Sequence, residues 1–278
     1  MHQKWKDYLI PKFQEPYMVK LMDFIRSERA MNKRIYPDQP DLMNAFEYCS
    51  YDKLMVVILG LEPYSTPFHN NGLAFASVNN SYPEELKNIF RETWYAWVAK
   101  MDRRFGTRKV DYKGINPSNQ FHAGDLTEWA RQGVLLWNII GTVQQHHPLS
   151  HSNRGWERFT AETLEFISSS KENIVFLLWG KNAGIFKPFI KQPEKHLILE
   201  SAHPSKGKEG FLGNYHFNYL DHYISKNHNR CIQWWVLPEN NMEEVPKAKE
   251  VPLATNQSSL TQSNTEKPWK EIVPGVPF

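Results

Sequence analysis

Three apolar segments of this 278-residue chain each lead to a polar side chain that can take part in chemistry. The segment KLMVVILG at residues 53–60 leads to Glu62, VLLWN ends on Asn138, and HLILESAH ends on His203. A carboxylate can stabilise positive charge or activate a water molecule, and an amide or an imidazole can hydrogen-bond a leaving group. The set suits the splitting of a bond to a planar, amide-like leaving group.

The same segments predict the elements that must position these side chains. Apolar runs that stop at Gly, Pro or polar residues are typical of buried strands, and we predict strands at 54–59, 134–138, 173–179 and 196–200. Helical patterns lie between them, which favours parallel crossovers. We therefore predict an α/β fold, a three-layer α/β/α sandwich with a central four-stranded parallel sheet. Ligands of such sheets bind at the carboxyl ends of the strands.

Apolar spacing also predicts several helices. We expect them at 15–33, at 83–101 and after Trp156. Asp125 and Glu128 have the spacing of a capping box, which predicts a helix that starts at Asp125.

Two polar segments are predicted to lie outside this regular structure. Residues 103–123 are punctuated by Gly and Pro and predict a long loop. From residue 238 the composition shifts to Glu, Pro, Asn, Ser, Thr and Lys, which is typical of disorder. We expect a catalytic domain at 1–237 and a disordered tail at 238–278, whose last eleven residues, PWKEIVPGVPF, bind a protein partner or dock on the domain itself.

Composition limits the other classes of protein and of site. Cys49 and Cys231 are too few for a four-cysteine zinc or iron–sulfur site and do not suggest a disulfide framework. His146, His147 and His151 lack the partner spacing of a metal site, so we expect no metal and no cofactor. The N-terminus has no apolar signal region, and no apolar run approaches the roughly 20 residues of a membrane span. We expect a cytoplasmic monomer without membrane contact.

The three segments, in this order, resemble the motifs of the family 1 uracil-DNA glycosylases. GLEPYS at 60–65 is similar to the family's water-activating GQDPYH loop, LLWN to its LLLN strand, and HPSKGK to its HPSPLS loop. The likeness continues between the motifs and extends over roughly residues 5 to 235. It implies a monofunctional DNA glycosylase that flips a pyrimidine, most simply uracil, out of DNA and hydrolyses its N-glycosidic bond to leave an abasic site.

The resemblance implies a role for each matched residue. Glu62 stands where the family has Asp, and it would stabilise the sugar cation and position the water. His203 would hydrogen-bond the departing base, for which a neutral imidazole suffices. The remaining matches would hold the base: Asn138 pairs with its edge, Phe75 stacks on it, Tyr64 crowds its C5 position, and Leu61 replaces the family's Gln beside it.

Contacts with DNA depart most from the family pattern. The loop after His203 is two residues shorter and lacks the family's wedging leucine, and Ser65 replaces a histidine. Positively charged side chains that bind phosphates could replace the wedge. The candidate DNA-binding residues are Ser65, Lys181, Ser205, Lys206 and Lys208. Without an apolar wedge, extrusion from a stable duplex is harder, which predicts a preference for single strands or weakened duplexes.

Two other functions remain open at this point. The changes at Leu61, Glu62 and Ser65 are also compatible with the same chemistry on another base, for example a modified cytosine in phage DNA. The Glu in place of Asp is also compatible with a catalytically weakened, DNA-binding adaptor whose C-terminal peptide recruits a partner.

Overall fold

Four parallel strands form the centre of the computed structural model, which describes residues 1–67, 70–79, 82–105 and 124–234. In chain order the strands are β1 (Ile35–Tyr36), β2 (Val56–Gly60), β3 (Val134–Asn138), β4 (Val143–Gln144), β5 (Val175–Trp179) and β6 (Leu197–Ser201). The main sheet has the order β3-β2-β5-β6, and β1 pairs with β4 in a small antiparallel sheet. The four predicted strands are confirmed to within about two residues at each end.

The apolar composition of the central strands matches their position. Every residue of β2, β3 and β5 is buried, as expected for parallel strands covered by helices on both faces. β6 lies at the edge of the sheet, and its residues are only partly buried. Its Glu200 is exposed and accepts a hydrogen bond of 2.7 Å from Lys187 Nζ.

Eight α-helices surround the sheet within the described ranges. They are α1 (Gln3–Gln14), α2 (Pro16–Ala30), α3 (Asn44–Tyr48), α4 (Glu84–Phe105), α5 (Thr127–Arg131), α6 (Trp156–Ser170), α7 (Lys181–Gly184) and α8 (His216–His228). The predicted helices at 15–33, at 83–101 and after Trp156 are confirmed as α2, α4 and α6. The three-layer α/β/α prediction is confirmed as well.

Helix α1 was not predicted, because half of its residues are charged or amide residues and it contains Pro11. Tertiary packing holds it in place: Trp5 is fully buried and its indole N–H donates to the carbonyl of Cys49 at 2.7 Å. Helix α8 was likewise not predicted. Packing therefore outweighs local pattern in α1.

The predicted capping box at α5 is wrong in its details. Leu126, with φ of 55°, is the residue that precedes the helix, and α5 begins at Thr127. Asp125 Oδ1 accepts the Thr127 N–H at 3.0 Å, so the aspartate forms a turn outside the helix. Glu128 pairs with Arg131 instead of reaching back to the cap. The left-handed turn at Leu126, which buries that side chain, displaces Asp125 from the cap position.

Two further predictions concern the ends of the described ranges. α4 runs to Phe105, so residues 103–105 of the predicted loop are helical. The rest of that loop and the tail at 238–278 lie outside the described residues, and the division of the chain at 237 stays a prediction. Among the helices that the structure describes, none is both long and apolar enough to cross a bilayer.

A buried polar contact ties α6 to the segment that follows β3. Trp156 Nε1 donates to Thr142 Oγ1 at 2.8 Å, and the same hydroxyl is 2.8 Å from His151 Nδ1. All three side chains are buried, and burial lowers the pKa of His151 to about 4, which keeps the ring neutral. Thr142 thus satisfies two buried polar groups at once.

Replacing Thr142 by Val tests this contact. The Val variant leaves the Trp156 N–H and the His151 ring nitrogen without a partner, and we expect a loss of roughly 2–4 kcal/mol in the free energy of unfolding. Thr142→Ser keeps the hydroxyl and serves as the control, with an expected loss of about 1 kcal/mol. Urea denaturation measures both, and equal stability of the two variants would contradict the role of the hydroxyl.

Candidate active site

The carboxyl ends of three of the four main strands carry the predicted chemistry. Glu62 lies two residues beyond β2, Asn138 is the last residue of β3, and His203 lies two residues beyond β6. The parallel register pairs Gly60 with Asn138 and Trp179 with Ser201. All three candidate groups therefore lie on the side of the sheet where the strands have their carboxyl ends, as predicted. We call this side the carboxyl edge of the sheet.

A main-chain hydrogen bond orients the Glu62 carboxylate. The N–H of Leu149 donates to Glu62 Oε2 at 2.8 Å. Burial raises the pKa of Glu62 above its ordinary value, and the bond from Leu149 opposes that shift. The carboxylate is thus half-buried and held by a donor that favours its charged form.

The loop that carries Glu62 is tied to its surroundings by main-chain atoms. Leu61 O accepts the Ile140 N–H at 2.9 Å, and Ser65 O accepts the His146 N–H at 2.8 Å. The Leu61 side chain packs against the hydrophobic core. For Leu61 and Ser65 the structure thus reveals a role in holding the loop, and their predicted contacts with base and DNA stay predictions.

His203 has a defined tautomer. The N–H of Ser205 donates to His203 Nδ1 at 3.3 Å, and the Ser205 hydroxyl lies 2.9 Å from the same nitrogen. Because a main-chain N–H can only donate, Nδ1 is the acceptor and the proton of the neutral ring is on Nε2. Burial lowers the pKa of His203, which keeps the ring neutral at neutral pH, while Glu85 opposes the shift.

Helix α4 holds the loop that carries His203, and this contact was missed from the sequence. Asn88 Nδ2 donates to Pro204 O at 2.8 Å. The buried carboxylate of Glu92 accepts the N–H of Gly213 at 2.5 Å and that of Tyr215 at 3.3 Å. Burial raises the pKa of Glu92 to about 7. The signal was present: Asn88 and Glu92 are polar residues four positions apart, among the buried apolar residues Leu86, Ile89 and Phe90.

Aromatic and amide groups complete the same edge. The ring of Phe75, which has φ of 63°, lies 6.0 Å from that of His203 and 5.8 Å from that of Trp179. Asn138 is buried, and a small pocket beside it is lined by Pro63 and Leu73 among others. Burial raises the pKa of Tyr64, so its hydroxyl stays protonated. Carboxylate, amide, neutral imidazole and aromatic face can together bind and split off a planar group.

A family model described as the uracil DNA glycosylase superfamily matches residues 46–209. The chain belongs to this superfamily. Curated relatives named uracil-DNA glycosylase include one from Phocaeicola vulgatus, which is 39% identical over 238 residues, covering 84% of this chain and 98% of that protein. One from Francisella tularensis is 37% identical over 236 residues, with 84% and 99% covered. This chain is accordingly a monofunctional hydrolase that acts on N-glycosyl bonds.

Solved structures agree on the fold of this glycosylase. The crystal structure of mimivirus uracil-DNA glycosylase superposes with a TM-score of 0.66 at 22% identity, covering 84% of this chain and 87% of that one. The glycosylase of Nitratifractor salsuginis gives a TM-score of 0.56 at 17% identity, with 79% and 91% covered.

The predicted DNA-binding lysines of the glycosylase lie on two exposed turns. Lys181 opens α7, and Lys206 and Lys208 lie with Ser205 in a 3-10 turn that follows His203. The turns touch each other: a Cβ on Gly180 would lie 2.9 Å from that of His203. The structure thus groups these residues beside His203, while their contact with DNA stays a prediction.

The histidines near 150 do not gather around a metal position. His147 Nδ1 lies 2.7 Å from the carbonyl of Gln145, and His146 Nε2 lies 3.1 Å from Gln145 Nε2. His151 is buried against Thr142. Throughout the described ranges, no three His, Cys, Asp or Glu side chains form a group that could hold a metal ion.

Gly60 is required by the position of Asn138. A Cβ at residue 60 would lie 2.2 Å from Asn138 Oδ1 and 3.0 Å from the Cβ of Ala74, so Gly60→Ala must displace the amide or part the strands. We expect a loss of roughly 1–3 kcal/mol in the free energy of unfolding from overpacking. We also expect a fall of about 100-fold in base release, because the amide is misplaced.

Gly184→Ala is the matched control for that substitution. An added Cβ at residue 184 meets only Glu200 Oε1, at 3.8 Å. Thermal unfolding and the rate of base release are measured for both variants. A Gly60→Ala enzyme that behaves like the Gly184→Ala enzyme would show that the amide does not occupy this space.

Proposed function

We propose that this protein is a uracil-DNA glycosylase in activity as well as in family. It would extrude a deoxyuridine from DNA, hydrolyse the N-glycosidic bond and leave an abasic site. The observation that carries the proposal is the placement of an oriented carboxylate, Glu62, and a neutral imidazole, His203, at the carboxyl ends of the strands, with Asn138 at the end of β3 beside the strand that leads to Glu62. The name shared by relatives that are 37–40% identical supports the choice of base.

Glu62 acts on the sugar side of the scissile bond. As the bond from C1′ to the base breaks, positive charge develops on the sugar and the carboxylate stabilises it. Water then adds at C1′, and Glu62 orients it and accepts its proton. Glu is one methylene longer than Asp, and the bond from Leu149 N–H holds the longer side chain in one orientation.

His203 acts on the base side. The departing uracil gains negative charge on its ring and on the carbonyl oxygen next to the broken bond. With its proton on Nε2, the neutral His203 ring donates a hydrogen bond to that oxygen. Because Ser205 holds Nδ1, the ring does not need to change tautomer during the reaction.

The other pocket residues would select the base. Asn138 offers one donor and one acceptor, which match the hydrogen-bonding edge of uracil, and a base with the wrong edge would leave buried polar groups unpaired. Phe75 offers an aromatic face for the extruded base, and Tyr64 crowds its C5 position. Lys181, Ser205, Lys206 and Lys208 would hold phosphates beside His203. We expect a preference for single-stranded or weakened DNA, because the short, lysine-rich turn after His203 carries no apolar wedge.

An abasic-site assay on uracil-containing oligonucleotides tests the proposal. We expect Glu62→Gln to lower kcat by about 100-fold or more, because it removes the negative charge and the general base. His203→Ala removes one donor to the developing anion, and we expect a loss of about 100-fold to 1,000-fold. Glu172→Gln, at an exposed residue bound to Lys195, is the matched control and keeps wild-type activity.

Two results would overturn the proposal. Genomic DNAs with natural base modifications are assayed in parallel, and release confined to a modified base would mean a different substrate. Normal DNA binding without release of any base would mean an adaptor. Full activity of the Glu62→Gln variant would remove Glu62 from the mechanism.

The acid side of the pH profile provides an independent test. Glu62 must be ionised, and burial raises its pKa, so we expect kcat/KM to fall with decreasing pH around a midpoint above the ordinary value of about 4.3 for glutamate. The pKa of His203 is lowered, so the ring charges only at a more acidic pH than usual. A His203→Gln variant that keeps the same midpoint assigns it to Glu62; a midpoint at or below the ordinary value would contradict the burial of the carboxylate.

A further inference from the structure

Leu149 combines two unusual properties. The residue is 49% exposed, although it is a large aliphatic one. Its φ is +60°, a left-handed conformation that branched, bulky side chains rarely adopt. Such conformations persist only where the surrounding structure enforces them, and they cluster at functional sites.

Hydrogen bonds on both sides of Leu149 enforce this conformation. Ser152 donates to the Leu149 carbonyl with both its N–H, at 3.1 Å, and its hydroxyl, at 2.7 Å. The Ser150 N–H donates to His147 O at 3.2 Å, and the Ser150 hydroxyl accepts the Gln144 N–H at 2.8 Å. These bonds fix the backbone around Leu149 in a shape that leaves this residue half exposed.

The turn stands directly beside the catalytic carboxylate. The Leu149 N–H is bonded to Glu62, and the His146 N–H is bonded to the carbonyl of Ser65 in the same catalytic loop. The turn at residues 145–152 comes after β3, the first strand in the order of the main sheet, while the lysine turn at residues 204–209 comes after β6, the last strand in that order. The two turns therefore lie towards opposite sides of the site, one near β3 and the other near β6.

The lysine turn exposes no large apolar side chain, and its Pro204 is buried. Residues 204–209 read PSKGKE, and Ser205, Lys206 and Lys208 are exposed there. Proteins that extrude a nucleotide or kink DNA often insert an apolar side chain such as leucine into the base stack. Leu149 is an exposed leucine of that kind, on a backbone turn that is hydrogen-bonded beside Glu62.

We infer that Leu149 is the side chain that this glycosylase inserts into duplex DNA beside the extruded nucleotide. The inference rests on the proposed function and deepens it, because it assigns the apolar contact that the loop after His203 lacks. Leu149 fills the space that the flipped base leaves, while the lysine turn holds the phosphates. The activity of the enzyme on duplex DNA then depends on the side chain of Leu149.

The test compares uracil in a duplex with the same uracil in a single strand. Leu149→Gly removes the side chain and accepts the left-handed conformation, and Leu149→Asn replaces it with a polar side chain that tolerates this conformation. We expect both variants to lower the ratio of duplex to single-strand kcat/KM by about tenfold or more, since a filled gap matters only in a stacked duplex. Leu149→Met should restore the ratio to within about threefold of wild type, because it returns apolar bulk.

Ile10→Ala is the matched control, because Ile10 is a 58% exposed aliphatic residue on α1. Its ratio should equal that of the wild type. An equal loss on both substrates in the Gly and Asn variants would mean that residue 149 acts only through Glu62, and an unchanged ratio would mean that it does not engage DNA; either result overturns the inference. Failure of the proposed function is distinct, since the wild-type enzyme would then release no uracil from the single strand.

Discussion

The site depends on the parallel pairing of β2 with β3, which brings Gly60 opposite Asn138. β2 is bonded to β3 on one side and to β5 on the other, so the positions of these strand ends are set by main-chain hydrogen bonds. A slip of one residue would turn every side chain of a strand to the other face. The absence of a side chain at Gly60 then lets the Asn138 amide lie against the strand that delivers Glu62.

The loop that carries His203, at the other end of the site, is held by polar contacts rather than by strand pairing. Asn88 and Glu92 project from α4 and bind main-chain atoms on either side of the turn that follows His203. The carboxylate of Glu92 loses solvation when it is buried, which is why its pKa rises to about 7. Burial of the carboxylate is therefore unfavourable in itself, but its two hydrogen bonds to main-chain N–H groups fix the loop. A donor that is already in place when charge develops needs no reorganisation during the reaction.

Much of the fold could be predicted because short apolar runs that end at Gly, Pro or polar residues have few other structural solutions. Glu62, Asn138 and His203 were predicted as site residues for the same reason, as the polar ends of these runs. The contact between Glu62 and Leu149 could not be recognised, since it joins residues 87 positions apart through a main-chain N–H that every residue type except proline has. The start of α5 was misplaced because Asp125 can cap a helix or form a turn, and only the burial of Leu126 decides between them.

The hydrogen bond from Leu149 to Glu62 also makes one backbone amide an indicator of charge. Hydrogen bonds to an ionised acceptor are about twice as strong as those to a neutral one. The environment of the Leu149 proton therefore changes when Glu62 gains or loses its proton. In nuclear magnetic resonance spectra of the free protein, the chemical shift of this single amide would follow the ionisation of the Glu62 carboxylate without substrate or inhibitor.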